Sequence, residues 1–205
     1  MTLDLLLILL ALALALALQP WRAVQGTPPW PALALWALLP LLWSLDKVLA
    51  SPLLQPLSGA CILLWMLGWP LTVLALVPVG LVIWLLSGLD AADALHRVVW
   101  LGLVPATLAM GLGAALRRWL PHHWFVYILG RGFFATALAL TVTGALAAWL
   151  FGVPATVSAQ EVVVARLLSA FGDAFLTGML VSIFVAFRPQ WLATYTDRLY
   201  LRPPG

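Results

Sequence analysis

Residues 162–187 read VVVARLLSAFGDAFLTGMLVSIFVAF, an apolar run in which charge appears only at Arg166 and Asp173. About 20 apolar residues in a helix cross the hydrocarbon core of a bilayer, so this stretch is long enough to span one. Similar runs precede it at Leu3 to Leu18, Pro31 to Leu45, Leu57 to Leu67, Pro70 to Leu86, Val98 to Leu116 and Trp124 to Phe151, each bounded by Pro, Gly or charge. Of 205 residues, 64% are hydrophobic and only 8% charged. A soluble domain carries roughly a quarter charged residues, because polar side chains must coat its surface. The expectation is an all-α integral membrane protein, one transmembrane domain over residues 1–205, built as a bundle of about seven transmembrane helices. The run Leu57 to Leu67 is the weakest, being too short for a full crossing before Gly68-Trp69-Pro70. It reads as a bent span, a re-entrant segment or a helix extended backwards through Pro56. Segments Gln19 to Trp30 and Phe151 to Gln160 read as loops.

Orientation follows from the basic residues, which cytoplasmic loops retain. The densest clusters are Arg117-Arg118 and the group Arg188, Arg198 and Arg202, two spans apart. Placing both in the cytoplasm puts Arg22 inside, the loop with Asp90, Asp93, His96 and Arg97 outside, and the N-terminus outside with the C-terminus cytoplasmic. Lys47 and Arg97 then face outward beside acids. Trp21, Trp30, Trp69, Trp119, Trp124 and Trp191 fall near the expected span ends, where amphipathic rings favour the headgroup layer. The opening Met1-Thr2-Leu3-Asp4 lacks the basic segment of a signal peptide, so a retained first helix is expected.

Several chemistries are excluded by counting. Ten basic residues scattered over many loops form no stripe for nucleic acid, although the pI is about 9.6. Cys61 is the single cysteine, so an intrachain disulfide, a CxxC redox pair and a thiolate zinc site are ruled out. Lys47, the one lysine, follows Ser44-Leu45-Asp46, so no phosphate-cradling GxxxxGK[ST] loop exists and any pumping must be powered elsewhere. Ser58-Gly59 lacks the glycine before a nucleophile turn, and no HExxH or paired-His helical motif is present. The chain is not expected to be an enzyme or to hold a covalent cofactor.

What chemistry the chain carries resides in a few polar residues within apolar surroundings. An ionisable group held in hydrocarbon costs several kcal/mol and usually persists because it binds or relays something. Asp173, near the middle of the last run, is the leading candidate, with Arg166 two turns earlier, Thr177 one turn later and Arg131 within reach from the preceding run. The competing reading is a structural Asp-Arg pair locking helices together. Ala170, Ala174, Gly178, Ser182 and Ala186 recur at steps of four, and Ala11 and Ala15 form a second ridge beside the offset Ala13 and Ala17. Such ridges let helices approach closely, either within the chain or against a partner. Asp90, Asp93 and His96 are spaced as weak ligand candidates for a divalent transition metal, against the simpler reading of a solvated charged loop. His122 and His123, beside Arg117 and Arg118, sit in a positive setting that suits contact with a cytoplasmic partner. Met66, Met110 and Met179 are scattered over different runs and read as packing.

The stretch Arg118-Trp119-Leu120-Pro121-His122-His123-Trp124-Phe125-Val126-Tyr127-Ile128, followed by Phe133-Phe134, resembles a family of bacterial energy-coupling factor ABC transporter permeases. Asp173-Ala174-Phe175-Leu176-Thr177-Gly178-Met179-Leu180, then Arg188-Pro189-Gln190-Trp191 and Asp197-Arg198, is similar to that family's last helix and tail, whose acid is commonly Glu. Gly59 to Pro70 resembles its glycine-bearing helix. The wider family includes CbiM-type substrate-capturing subunits for cobalt and nickel, seven-helix bundles with an outward N-terminus. The resemblance implies a multi-pass protein of the bacterial inner membrane that hands a divalent transition metal substrate to a transmembrane coupling subunit driven by cytoplasmic ATPases. It carries Asp173 over as a functional acid. Two family metal ligands are absent, since Thr2 stands where an N-terminal His is expected and Pro56, after Gln55, stands where a second His is expected.

Overall fold

Helices form where the apolar runs lie, as a computed structural model of residues 1–22, 29–48, 56–152 and 158–200 describes them. Gln55 and Arg202 fall outside the described residues, as do the side chains of Arg22, Lys47 and Arg198, and with them the charge expectations they carry. The helices are α1 (Thr2–Ala17), α2 (Trp30–Val48), α3 (Ala60–Leu67), α4 (Trp69–Leu86), α5 (Ala91–Trp119), α6 (Trp124–Phe151), α7 (Ala159–Phe187) and the short α8 (Asp197–Tyr200). No strand occurs among the described residues. Helices α4 to α7 are long and apolar enough to cross a membrane, while α1 and residues Trp30–Leu45 of α2 are shorter apolar helices. Their outer faces present Leu5, Leu6, Leu9 and Leu10 on α1 and Phe171, Phe175 and Phe187 on α7, all exposed. Apolar surface of that extent matches a lipid solvent rather than water.

Three departures from the sequence expectation have physical causes. Helix α5 starts at Ala91, so Asp93, His96 and Arg97 lie in its first turns and not in a loop; Asp90, extended at φ −63° and ψ 151°, is its N-cap residue. Helix α7 starts at Ala159 because Ser158 and Glu161 form a reciprocal capping box. Helix α3 begins only at Ala60, which removes the reading of a helix extended backwards through Pro56. It ends at Gly68, whose φ of 79° and ψ of 161° suit glycine alone. Pro70 in the first turn of α4 then restarts a helix without needing an N–H.

Ala60 through Met66 are all buried, so α3 is a short central rod contacted by α2, α4, α5 and α7. A helix apolar all round is stable only when enclosed in this way. At one end of the bundle Trp30 of α2 meets Trp191 edge to face at 5.9 Å, and Thr194 donates its hydroxyl to the Trp65 carbonyl at 3.2 Å. At the other end α1, α5 and α6 converge on Asp4, His96, Trp100 and Phe151.

The small-residue ridges are used in part. Ala170, Ala174 and Gly178 are buried, and a Cβ on Gly132 of α6 would stand 3.2 Å from the Gly178 Cα. Ser182 is half-buried and donates to its own helix at the Met179 carbonyl, while Ala186 is exposed. Ala11 and Ala15 are buried on α1, which packs against α4, whereas Ala13 and Ala17 face outward.

Candidate functional site

Asp173 is 4% exposed and lies midway along α7. Its Oδ2 accepts the backbone N–H of Ser58 at 2.6 Å and of Gly59 at 3.1 Å, and the Thr177 hydroxyl makes a longer contact to Oδ1 at 3.5 Å. Asp173 thus caps, from another helix, the N-terminus of α3. That end has unpaired N–H groups and the positive pole of the helix dipole, both of which favour a carboxylate. Gly59 makes the approach possible. It sits at φ 60°, and a Cβ there would stand 2.8 Å from Leu39 Cδ2.

The same loop is held by two further helices, α5 and α2. Ser58 donates its hydroxyl to the Leu101 carbonyl at 2.6 Å and accepts the Ala60 N–H at 3.2 Å. Trp43 donates its indole N–H to the Ser58 carbonyl at 2.8 Å, and Arg97 in turn donates to the Trp43 carbonyl. Leu101 lies in a π-helical stretch of α5, Val98–Leu103, and a second π stretch, Tyr127–Ala135, lies in α6. Such wide turns change which carbonyls and side chains a helix aims inward, and they concentrate at functional positions. Cys61 is buried in the first turn of α3, with its sulfur 3.9 Å from the Pro105 carbonyl.

The expected arginine partners go elsewhere. Arg166 donates to the Gly144 carbonyl at 2.5 Å, and Arg131 donates to the Gly113 carbonyl through Nε and Nη2 at 3.1 and 2.9 Å. The structural Asp-Arg pair is therefore replaced by a carboxylate on a helix end and two arginines on backbone carbonyls. Thr177 remains beside Asp173 as expected.

Asp90, Asp93 and His96 do not converge. The two acids are exposed, and among the described residues no three His, Cys, Asp or Glu side chains form a group able to hold a metal ion. His96 faces Asp4 instead, with Nδ1 3.4 Å from Oδ2, and its ring stands edge-on to Phe151 at 4.8 Å. Asp4 is 2% exposed and accepts the Trp100 indole N–H at 2.9 Å, while the Met1 amine lies 3.3 Å from Oδ2. Sequence reading passed over Asp4 as an end residue. The available signal was an acid followed directly by the unbroken apolar run Leu5 to Leu18. Trp100 and Leu101 are neighbours on α5, so the Asp4 cluster and the Asp173 site are joined through one π segment. Replacing Asp4 by Ala leaves the Trp100 N–H without its acceptor and should cost about 2 kcal/mol, seen as a lower unfolding midpoint in detergent. Asp4→Asn, which keeps an acceptor, should recover most of it; equal losses would rule out this account.

Arg117, Arg118, His122 and His123 are all exposed at the turn between α5 and α6, and His123 accepts the Phe125 N–H at 3.2 Å as the N-cap of α6. No family model, curated protein or solved structure matches this chain.

Proposed function

We propose that the chain is a membrane-embedded substrate-binding or permease-like subunit of an energy-coupling factor type ABC transporter. Its cargo is a divalent transition metal ion, its setting the bacterial inner membrane. The energy comes from cytoplasmic ATPases acting through a transmembrane coupling subunit, since the chain has no P-loop. Counting α3 with residues 56–59 before it as one crossing gives seven, with the N-terminus outside and the C-terminus in the cytoplasm. The observation that carries the reading is the half-length α3, which starts inside the bundle with its N-terminus on the buried Asp173. Broken helices whose ends meet at mid-bundle are where membrane transporters place cargo and coupling-ion sites, because only there are backbone groups free to bind. Asp173 brings one carboxylate, and Ser58 and Thr177 bring hydroxyl oxygens.

Accumulation of first-row metals in cells with and without the chain, alongside its ATPase partners, tests this. Uptake of one metal is expected to depend on the chain and to fall about tenfold in Asp173→Asn, which removes the charge but keeps an acceptor for the α3 N–H groups. Full uptake by that variant would remove Asp173 from any ion role. The second reading is a non-transporting membrane scaffold or assembly factor, favoured by the lack of a three-donor metal group among the described residues. Unchanged accumulation of every metal would select it.

A further inference from the structure

Arg131 is 8% exposed, yet no carboxylate pairs with it among the described residues. Beyond its two bonds to Gly113, its Nη1 reaches the Thr194 carbonyl at 3.4 Å. The rings of Trp65 and Tyr127 lie 5.8 and 5.4 Å from the guanidinium carbon and offset part of its charge. A guanidinium carries five N–H donors, and these three bonds leave two without an acceptor among the described residues. A cation left in that state within a bundle attracts an anion.

A narrow crevice is lined by exposed Arg117 and His122, by Leu120, Tyr127 and Tyr200, and by this guanidinium, with no acid along it among the described residues. The two exposed basic side chains form its mouth. The crevice as a whole has room for about one oxygen-sized group and none for a protein side chain. On the same turn between α5 and α6, adjacent in sequence to the lining residues, Trp119, Leu120, Trp124 and Phe125 are exposed. Aromatic rings so placed mark the headgroup layer, and the adjoining apolar surface suits acyl chains. We propose that this crevice binds the phosphate of an anionic lipid headgroup. Arg117 and His122 grip the phosphate at the mouth, one oxygen points inward to Arg131, and the acyl chains lie along the exposed aromatics. Charge-assisted bonds from arginine to phosphate are strong, and basic crevices between membrane helices recognise lipids in this way.

The test uses the purified full chain in phosphatidylcholine nanodiscs, with phosphatidylglycerol added and bound lipid measured by native mass spectrometry. Phosphatidylglycerol should be enriched over phosphatidylcholine in the bound fraction. Arg117→Ala should weaken that preference about tenfold, whereas Arg118→Ala, which removes an equal charge one residue away outside the crevice, should change it less than about threefold. Arg131→Lys should also weaken it, because a point charge lacks the planar fork. Equal effects of Arg117→Ala and Arg118→Ala would overturn the site in favour of diffuse surface attraction. Displacement of the lipid by inorganic phosphate at comparable concentration would overturn the lipid assignment in favour of a free-phosphate site. Loss of preference in Arg131→Lys alone, with Arg117→Ala unchanged, would also overturn the proposal, since Arg131 has structural bonds whose loss could deform the crevice.

Discussion

Asp173→Ala is expected to destabilise the bundle by about 3 kcal/mol, because two enclosed N–H groups, those of Ser58 and Gly59, lose their acceptor together. In water such groups would find solvent. Beside α3, whose residues Ala60 to Met66 are all buried, no replacement is near at hand. The loss should appear as a lower midpoint of unfolding in a denaturing detergent titration. Asp173→Asn keeps an oxygen at the same place and should fall within about 1 kcal/mol of the parent, since it trades stronger ionic bonds against the cost of burying charge. The pair of variants separates structure from transport: alanine affects both, asparagine chiefly the ion role. An alanine variant as stable as the parent would show that the helix end does not rely on this carboxylate.

The second large effect is expected at Gly132. A Cβ there would lie 3.2 Å from the Gly178 Cα and 3.3 Å from the Val181 Cβ, so a leucine has backbone in its way and not a flexible side-chain tip. Gly132→Leu should cost about 3 kcal/mol by forcing α6 away from α7. Close contact at small residues is the main attraction between helices in lipid, where burying apolar surface brings no gain over leaving it exposed. The control is Gly172→Leu on α7, where a Cβ meets nothing within 4 Å. That change should be neutral or slightly stabilising through helix propensity. Equal losses from the two substitutions would mean that the seam between α6 and α7 is not what holds these helices together.

Much of the architecture was legible from composition and run length. The apolar runs became helices with bounds shifted by a few residues, except at α5, which starts at Ala91, seven positions before the expected Val98. The short third run was recognisable as incomplete, because Gly68 and Pro70 punctuate it, but whether it bent, re-entered or extended through Pro56 was not. The candidate site was legible only as Asp173 and Thr177. The main partners of Asp173 are the backbone N–H groups of residues 58 and 59, and a backbone donor leaves no trace in residue identity. The Arg131 and Arg166 pairings were misjudged for the same reason, since both side chains end on carbonyls that every residue possesses.

Two kinds of information thus divide the protein. Chain composition alone determined that helices form and that their outer faces suit lipid, because an apolar run in hydrocarbon must satisfy its backbone hydrogen bonds within itself. It also located the rare polar residues along those helices. Tertiary packing decided which polar residues meet. The π segments in α5 and α6 and the glycine at φ 60° before α3 set the direction of carbonyls and N–H groups by small changes in backbone angle, and those changes are selected by neighbours distant in sequence. A buried acid could therefore be found by reading the chain, while the helix end it caps became visible only once the bundle had closed around it.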